Sequence, residues 1–171
     1  NRLERAGSQH GLRAAGYRVT EGVARTGVVG VLANGEGPVV WLRGDMDALP
    51  VKEATGLSYA STTDGVMHAC GHDLHVTWLA TAAEALAAAR ETWSGTLVVV
   101  GQPAEESEGG AAAMVADGIH ARFPRPDVLF GQHAAPGLAG FYPHTPGLTL
   151  SASDDVDVVV HGVGGHGSRP E

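Results

Sequence analysis

The chain has 171 residues, and 43% of them are hydrophobic, a composition that fits one ordinary globular domain with a sizeable core. The net charge is -8 with histidine neutral, and no block of Lys or Arg stands out, so the sequence lacks the basic face that nucleic-acid binding requires. No apolar run approaches the ~18–20 residues that cross a bilayer, and we therefore expect a soluble protein without a membrane partner.

The chain contains a single cysteine, Cys70, which excludes an internal disulfide. A lone thiol is typical of a reducing compartment, from which we expect a cytoplasmic protein, and its roles are packing, metal ligation or nucleophilic catalysis. The chain begins at Asn1 without an initiator methionine or a signal-peptide pattern, and it stops just after a glycine-rich stretch. We therefore expect a segment of a longer polypeptide.

The first third of the chain is predicted as a helix followed by strands. Residues 2–15 are loosely helical in pattern, and Gly16 is placed to cap the C-terminal end of the helix. The sequence YRVTEGVARTGVVGVLANGEG then predicts strand, turn and strand, with Asn34-Gly35 as the turn signal. The next segment, PVVWLRGDMDALP, opens with an apolar run of buried-strand length and breaks into acidic loop residues.

The rest of the chain alternates helices and strands. The stretch from Leu74 to Arg90 is rich in alanine, with apolar residues at helical spacing, and it predicts a long helix. It is followed by a strand and acidic loop (GTLVVVGQPAEESEGG), a short helix ended by Gly118 (AAAMVADG), and a buried-type strand that ends on a histidine (PDVLFGQHAAPG). The last apolar stretch, LTLSASDDVDVVVHG, alternates more than the others and predicts an antiparallel or partly exposed strand.

This order of elements predicts an α/β fold. Strands that alternate with helices favour a largely parallel central sheet with helices on its faces. The strand character changes near Leu150, where we expect a second domain to begin.

Side chains able to bind a metal ion follow three of the predicted strands and precede the long helix: Asp45 and Asp47, Glu105 and Glu106, His133, and the pair Cys70 and His72 of VMHACGHDLHVTW. In open α/β sheets, ligands collect at the carboxyl ends of the strands, so these residues are expected to converge on one rim. A thiol, imidazoles and carboxylates together are a set of metal ligands.

The adjacent glutamates Glu105 and Glu106 offer two roles, because consecutive residues usually point in different directions. One can bind a metal ion while the other faces the attacking water as a general base. A bound cation also lowers the pKa of that water. This combination suits attack on an amide or ester carbonyl.

Five motifs in order, LRGDMDALP, MHACGHDLH, GQPAEE, GQHAAPG and GVGGHGSRP, make the chain resemble peptidase family M20. It is most similar to the amidohydrolase subfamily, which includes hippurate hydrolases, N-acyl-amino-acid amidohydrolases and indole-acetyl-amino-acid hydrolases. The resemblance implies a zinc-peptidase-like, three-layer α/β catalytic domain, present in part, over residues 1–150. Residues 151–171 would be the first strand and the GGHGS loop of a smaller α+β lid or dimerisation domain.

The resemblance also implies a role for each residue of the predicted site. The ligands of a two-metal centre would be Cys70, as the bridging ligand, His72, Glu106 and His133. Glu105 would be the general base, Asp47 would support a ligating side chain, and His166 of GGHGS would stabilise the oxyanion, often across a dimer. The family takes a final metal-binding histidine from a C-terminal region that this sequence does not include, so we expect the segment alone to be inactive. The acidic PELS-type motif of the family is also absent here.

The implied function is hydrolysis of the amide bond of N-acyl amino acids or related small conjugates, by water that two divalent metal ions activate and a glutamate deprotonates. A thiolate ligand favours Zn²⁺, whereas imidazole and carboxylate ligands also admit Mn²⁺, Ni²⁺ or Co²⁺. A homodimer or higher homo-oligomer, formed through the lid domain, is implied as well.

Two rival hypotheses stay open. A non-catalytic metal-binding or regulatory protein on the same fold would need the ligands but not a second glutamate beside them. A thiol hydrolase would use Cys70 as its nucleophile and would need no metal.

Four further residues near the cluster have ordinary structural interpretations. His68 and His75 are interpreted as donors to the ligands or as helix-start residues rather than as ligands. Asp73 is interpreted as an N-cap of the long helix or as an acceptor for a histidine, and Asp45 as a turn residue.

Overall fold

The computed structural model describes residues 9–107, 109–142, 144, 146–147, 156–159, 161–162, 165 and 168. Its elements are α1 (9–14), β1 (Arg18–Val23), β2 (Gly27–Asn34), β3 (Val39–Asp45), α2 (His72–Ala88), β4 (Gly95–Gln102), α3 (Gly110–Ala116), α4 (Ile119–Arg122) and β5 (Val128–Gly131), with a 3-10 turn at Arg90–Thr92.

The five strands form one sheet in the order β1-β2-β4-β3-β5. Strand β3 is parallel to both β4 and β5, whereas β2 is antiparallel to both β1 and β4. Four of these strands therefore run in one direction and β2 runs in the other. The predicted α/β class and the largely parallel sheet are confirmed.

Helices cover both faces of the sheet. Successive residues of a strand point to opposite faces, so β2 and β4 contribute apolar side chains to a core on each face. The core on one face, which includes residues of α3 and α4, consists of Val23, Val29, Val31, Trp41, Val98, Val100, Met114 and Ile119. The core on the other face, which includes residues of α1 and α2, consists of Leu12, Tyr17, Leu32, Ala83, Ala87, Leu97 and Val99. Each large apolar side chain buried in this way contributes roughly 1.5–3 kcal/mol. The result is a three-layer arrangement, with helices packed on each face of the sheet.

The end of α1 has the predicted glycine cap. Gly16 has a φ of +92°, in the left-handed region that glycine adopts without strain. The N–H of Gly16 donates to the carbonyl of Arg13, and the N–H of Tyr17 donates to the carbonyl of Leu12. This pair of hydrogen bonds is a Schellman motif, which directs the chain from α1 into β1.

The turn of the β1–β2 hairpin was predicted at the wrong place. The hairpin turns at residues 24–26, where Ala24 and Arg25 have φ values of +48° and +75°. The N–H of Ala24 donates to the Asp117 carboxylate, and this contact supports the strained turn. Asn34 and Gly35 instead lead from β2 towards β3, which are not neighbours because β4 lies between them.

Helix α2 is close to its predicted bounds but has a different cap. Its N-cap is Gly71, with φ +80° and ψ +18°, and no side chain caps the helix. The interpretation of Asp73 as the N-cap is therefore wrong. Asp73 lies in the first turn, where a negative charge favours the helix N-terminus.

Strand β5 is exposed, whereas its sequence predicted a buried strand. All four of its residues are exposed, and Phe130 retains 57% of its accessible surface. The reason is that β5 occupies the edge of the described sheet and pairs with β3 on one side.

The chain divides into two compact units, Asn1–Ala135 and Pro136–Glu171. In the second unit, the N–H of Phe141 donates to the carbonyl of Leu138 in a turn, and residues 156–159 are exposed and form no strand. The domain boundary expected near Leu150 lies outside the described residues and stays a prediction. Within the described part of the chain, no helix has the length and apolar character needed to cross a membrane.

Candidate metal centre

The predicted site residues meet where three parallel strands end. Asp45, the last residue of β3, is paired in register with Gln102, the last residue of β4. Strand β5 ends at Gly131, two residues before His133, and α2 begins at His72. The loops that follow β3, β4 and β5 therefore open beside the N-terminus of α2, as expected for a ligand site of an α/β sheet.

His72 presents one free nitrogen to the site. Its side chain is 1% exposed, and its Nδ1 lies 3.0 Å from the backbone oxygen and 3.2 Å from the Oδ1 of Asp47. Since both partners are acceptors, Nδ1 carries the proton and Nε2 presents a lone pair. Nε2 is buried and has no hydrogen-bond partner among the described residues. A buried nitrogen without a partner is costly, and a cation would satisfy it.

Cys70 and His133 form a second part of the site. The Sγ of Cys70 lies 3.4 Å from the Nε2 of His133, although 63 residues separate them in sequence. The Nδ1 of His133 donates to the carbonyl oxygen of Ala134 at 2.7 Å. His133 therefore has the same tautomer as His72, with Nε2 available to the site.

The paired glutamates come from a tight loop after β4. Ala104 has a φ of +50°, a left-handed backbone that is uncommon for alanine. Its carbonyl accepts the N–H of Gly110, and any Cβ at Gly110 would lie 1.7 Å from the carbonyl oxygen of Pro103. This glycine-dependent turn delivers Glu105 and Glu106 to the rim.

Both glutamates reach the free nitrogen of His72. Its Nε2 is 3.6 Å from Oε1 of Glu106 and 3.9 Å from Oε2 of Glu105. The Glu106 side chain is 26% exposed and the Glu105 side chain 38%, so Glu105 is the more open to solvent. The N–H of Glu106 donates to the Oδ2 of Asp47 at 3.0 Å. Asp47 thus touches both the imidazole and the glutamate loop with its two oxygens.

The thiol of Cys70 is a weak acid in this setting. Its partial burial, reinforced by the negative charges of Glu106 and Glu105, raises the pKa of Cys70 to about 11. The thiol is therefore protonated at neutral pH unless a cation displaces the proton.

A second layer of polar residues supports the cluster. The sequence offered such a role for His75, as one of two interpretations, but not for Arg43, Asp45 or Gln102. Asp45 is fully buried, so its interpretation as a turn residue is wrong. Burial alone would raise the pKa of Asp45, but the hydrogen bond with His75 and the Arg43 guanidinium together hold that pKa below its usual value. Arg43 donates to Asp45 at 2.8 Å and to the side-chain oxygen of Gln102 at 2.9 Å. The alternation of LRGD along a buried strand was a signal that Arg43 and Asp45 share one face.

The donor atoms are close enough to hold cations. Three groups of donor atoms, each within a 4.8 Å span, occur among the described residues: Cys70, His72 and His133; His72, Glu105 and Glu106; and Asp45, His72 and His75. His72 belongs to all three, which brings the imidazole, thiol and carboxylate ligands to one place. The residues therefore fit a centre for divalent metal ions by their chemistry and by the free Nε2 of His72.

The structure thus gathers six of the seven predicted site residues: Cys70, His72, Glu105, Glu106, His133 and Asp47. The seventh, His166, lies outside the described residues, and its role stays a prediction. His68 is in none of the three donor groups found in the described part of the chain.

The fold and the donor cluster define a three-layer α/β domain with a candidate metal centre at the carboxyl edge of its sheet. The family model described as peptidase family M20/M25/M40 matches residues 41–160. The chain belongs to this family, which confirms the resemblance found in its motifs.

Individual relatives agree with this assignment. The chain is 46% identical over 162 residues to the hippurate hydrolase of Campylobacter jejuni, in a match that covers 94% of this chain and 42% of the relative. It is 39% identical over 150 residues to IAA-amino acid hydrolase ILR1-like 5 of Arabidopsis thaliana, covering 87% of this chain and 34% of the relative. The chain therefore spans about a third to two fifths of the length of these curated relatives.

A solved structure has the same fold. The YXEP protein of Bacillus subtilis, described as a dinuclear metal binding peptidase from the M20 family, superposes with a TM-score of 0.70 at 34% sequence identity. The match covers 78% of this chain and 37% of that one.

Proposed function

We propose that the protein is a metal-dependent amidohydrolase that cleaves the amide bond of N-acyl amino acids or related small conjugates. The observation that carries the proposal is the buried Nε2 of His72, which faces two glutamates and has no hydrogen-bond partner in the described residues. Relatives named hippurate hydrolase and N-acetyl-L-cysteine deacetylase support the substrate class, since the substrates in these names are N-acylated amino acids.

The proposed ligands of two divalent metal ions are Cys70, His72, Glu106 and His133, with Cys70 shared between the ions. Mn²⁺ or Zn²⁺ is proposed, and the ligand set also admits Ni²⁺ or Co²⁺. When bound, such ions act as Lewis acids that polarise a carbonyl oxygen and lower the pKa of water. The YXEP protein, described as a dinuclear metal binding peptidase, supports the number of ions.

Glu105 is the proposed general base. Its carboxylate is close to the ligand cluster, yet it is the more exposed of the two glutamates, so water and substrate can reach it. It takes a proton from the attacking water as the new C–O bond forms at the substrate carbonyl. It then returns that proton to the amine as the C–N bond breaks, so the products are a carboxylic acid and an amine.

The remaining assignments concern support and assembly. Asp47 holds His72 in the tautomer that leaves Nε2 free. We also propose that His166 stabilises the oxyanion across a homodimer or higher homo-oligomer, and that the protein is cytoplasmic, as its single cysteine favours.

Exchange of each glutamate for glutamine tests the two roles in the protein at its full natural length. We expect Glu105→Gln to lower kcat by about 10²–10⁴-fold with the metal content unchanged. We expect Glu106→Gln to lose bound metal, and Glu91→Gln, an exposed residue of the 3-10 turn, to serve as the neutral control. Undiminished hydrolysis of N-acetyl and N-benzoyl amino acids by Glu105→Gln would contradict the assignment.

The rival hypotheses predict different results. A metal-binding protein without catalysis would hydrolyse none of these substrates when loaded with Zn²⁺ or Mn²⁺. A thiol hydrolase would stay active without metal, but the raised pKa of Cys70 opposes this hypothesis, because the protonated thiol is a poor nucleophile.

A further inference from the structure

We propose that Asp45 and His75 form a buried pair of positioning residues that holds the His133 loop against Cys70. The inference rests on the proposed function, because it concerns the orientation of a proposed metal ligand. Neither Asp45 nor His75 is assigned there as a ligand or as a catalytic group.

Both ring nitrogens of His75 form hydrogen bonds within the protein. It lies on α2, 2% exposed, with Nδ1 at 2.5 Å from Oδ1 of Asp45. Its Nε2 accepts the backbone N–H of Ala134 at 2.8 Å. Because an N–H can only donate, Nε2 is unprotonated and Nδ1 carries the proton towards Asp45.

This geometry distinguishes positioning from ligation. The donor atoms of Asp45, His72 and His75 lie close enough together for one ion. However, both nitrogens of His75 already have partners within the protein, whereas the Nε2 of His72 has none among the described residues. His75 therefore acts on the site through Ala134.

The pair connects the end of β3 to α2. Asp45 ends β3, where Arg43 donates to its Oδ2 at 2.8 Å, and it is fully buried. Its two oxygens accept from different partners, Oδ1 from His75 and Oδ2 from Arg43. The chain of hydrogen bonds thus joins β3, α2 and the loop after β5.

The backbone of Ala134 links His75 to His133 through two hydrogen bonds. Its N–H is held by His75, and its carbonyl oxygen accepts the Nδ1 proton of His133. The His133 ring also packs edge-on against His75, with ring centres 4.6 Å apart. Because His133 is exposed and follows an edge strand, this buried anchor sets the direction in which its Nε2 faces Cys70.

Cobalt titration of the full-length protein tests the inference without relying on activity. The thiolate-to-cobalt absorption band in the near ultraviolet reports Co²⁺ bound at Cys70, and elemental analysis counts the ions at saturation. We expect His75→Leu to weaken Co²⁺ binding by about 10–100-fold, as is usual for residues behind metal ligands, with two ions still bound at saturation. We expect His75→Gln, which keeps an acceptor near Ala134, to recover part of the loss.

Two further variants keep the test decisive. Ala134→Pro removes the N–H donor and leaves the buried pair intact, so it should weaken Co²⁺ binding even if His75→Leu fails to fold. His10→Leu, an exposed residue of α1, is the control and should bind as the wild type does.

Each outcome has one meaning. Wild-type affinity in Ala134→Pro, or in a folded His75→Leu variant, would overturn the positioning role while the proposed function stands. Loss of one ion at saturation in His75→Leu would show that His75 is a ligand, and would also overturn it. A wild-type protein that binds cobalt but hydrolyses nothing would refute the proposed function alone, and one that binds no cobalt would refute both.

Discussion

Replacing Gly71 with alanine is expected to weaken metal binding as well as the fold. Gly71 lies between Cys70 and His72 with a φ of +80°, and a left-handed backbone costs an alanine about 1–2 kcal/mol. In addition, the new Cβ would lie 3.3 Å from the Cβ of Ala134, tighter than ordinary contact. Since Ala134 orients His133, we expect both halves of the thiol–imidazole pair to shift.

The two contributions can be measured separately with a matched control. Gly56 also has a positive φ, +70°, but a Cβ there would meet no atom within 4 Å. Urea unfolding of the metal-free proteins should show a loss of about 1–2 kcal/mol or less for Gly56→Ala, and a larger loss for Gly71→Ala. Cobalt affinity should fall about ten-fold or more in Gly71→Ala and stay unchanged in Gly56→Ala.

If Gly71→Ala is destabilised but binds Co²⁺ with the wild-type affinity and absorption band, then the left-handed turn does not set the geometry of the ligands. Equal losses of stability in the two variants would show that the contact with Ala134 adds nothing.

Three further predictions concern Asp47, the buried hydroxyl of Tyr17 and the bound metal. Asp47→Asn should weaken metal binding by about ten-fold, measured by cobalt titration, because the amide cannot accept from both His72 and the N–H of Glu106; unchanged affinity would contradict the supporting role. Tyr17 donates to the carbonyl of Ala83, and burial raises the pKa of Tyr17 to about 12, so its hydroxyl stabilises the fold fully below pH 10.0 and loses that contribution as pH rises towards 12. Unfolding curves should therefore show about 2–3 kcal/mol of alkaline destabilisation that Tyr17→Phe lacks, and a parallel loss in both proteins would exclude this origin. Removal of metal with a chelator should abolish hydrolysis of N-acetyl amino acids, and Zn²⁺ or Mn²⁺ should restore it, whereas activity that survives chelation would favour a metal-free mechanism.

The sequence alone predicted the class of fold and the convergence of the proposed site residues. Apolar runs of strand length, separated by one long alanine-rich helix, predicted the α/β sheet because burial on both faces leaves that signature. The positions of Asp47, Glu106 and His133 after such runs predicted their convergence, since parallel strands end at a common edge. Strands and helices can be recognised from the spacing of apolar residues because the period of each element is a property of its backbone.

Only the tertiary structure decided which nitrogen or oxygen each residue presents, and to what. The exposure of β5 depends on its place at the edge of the described sheet, which its apolar sequence does not encode. The roles of Asp45 and His75 depend on contacts across 30 residues of sequence, and on the backbone N–H of Ala134, 59 residues from His75. A hydrogen bond between elements has no period along the chain, so it becomes visible only when the packed layers bring its partners together.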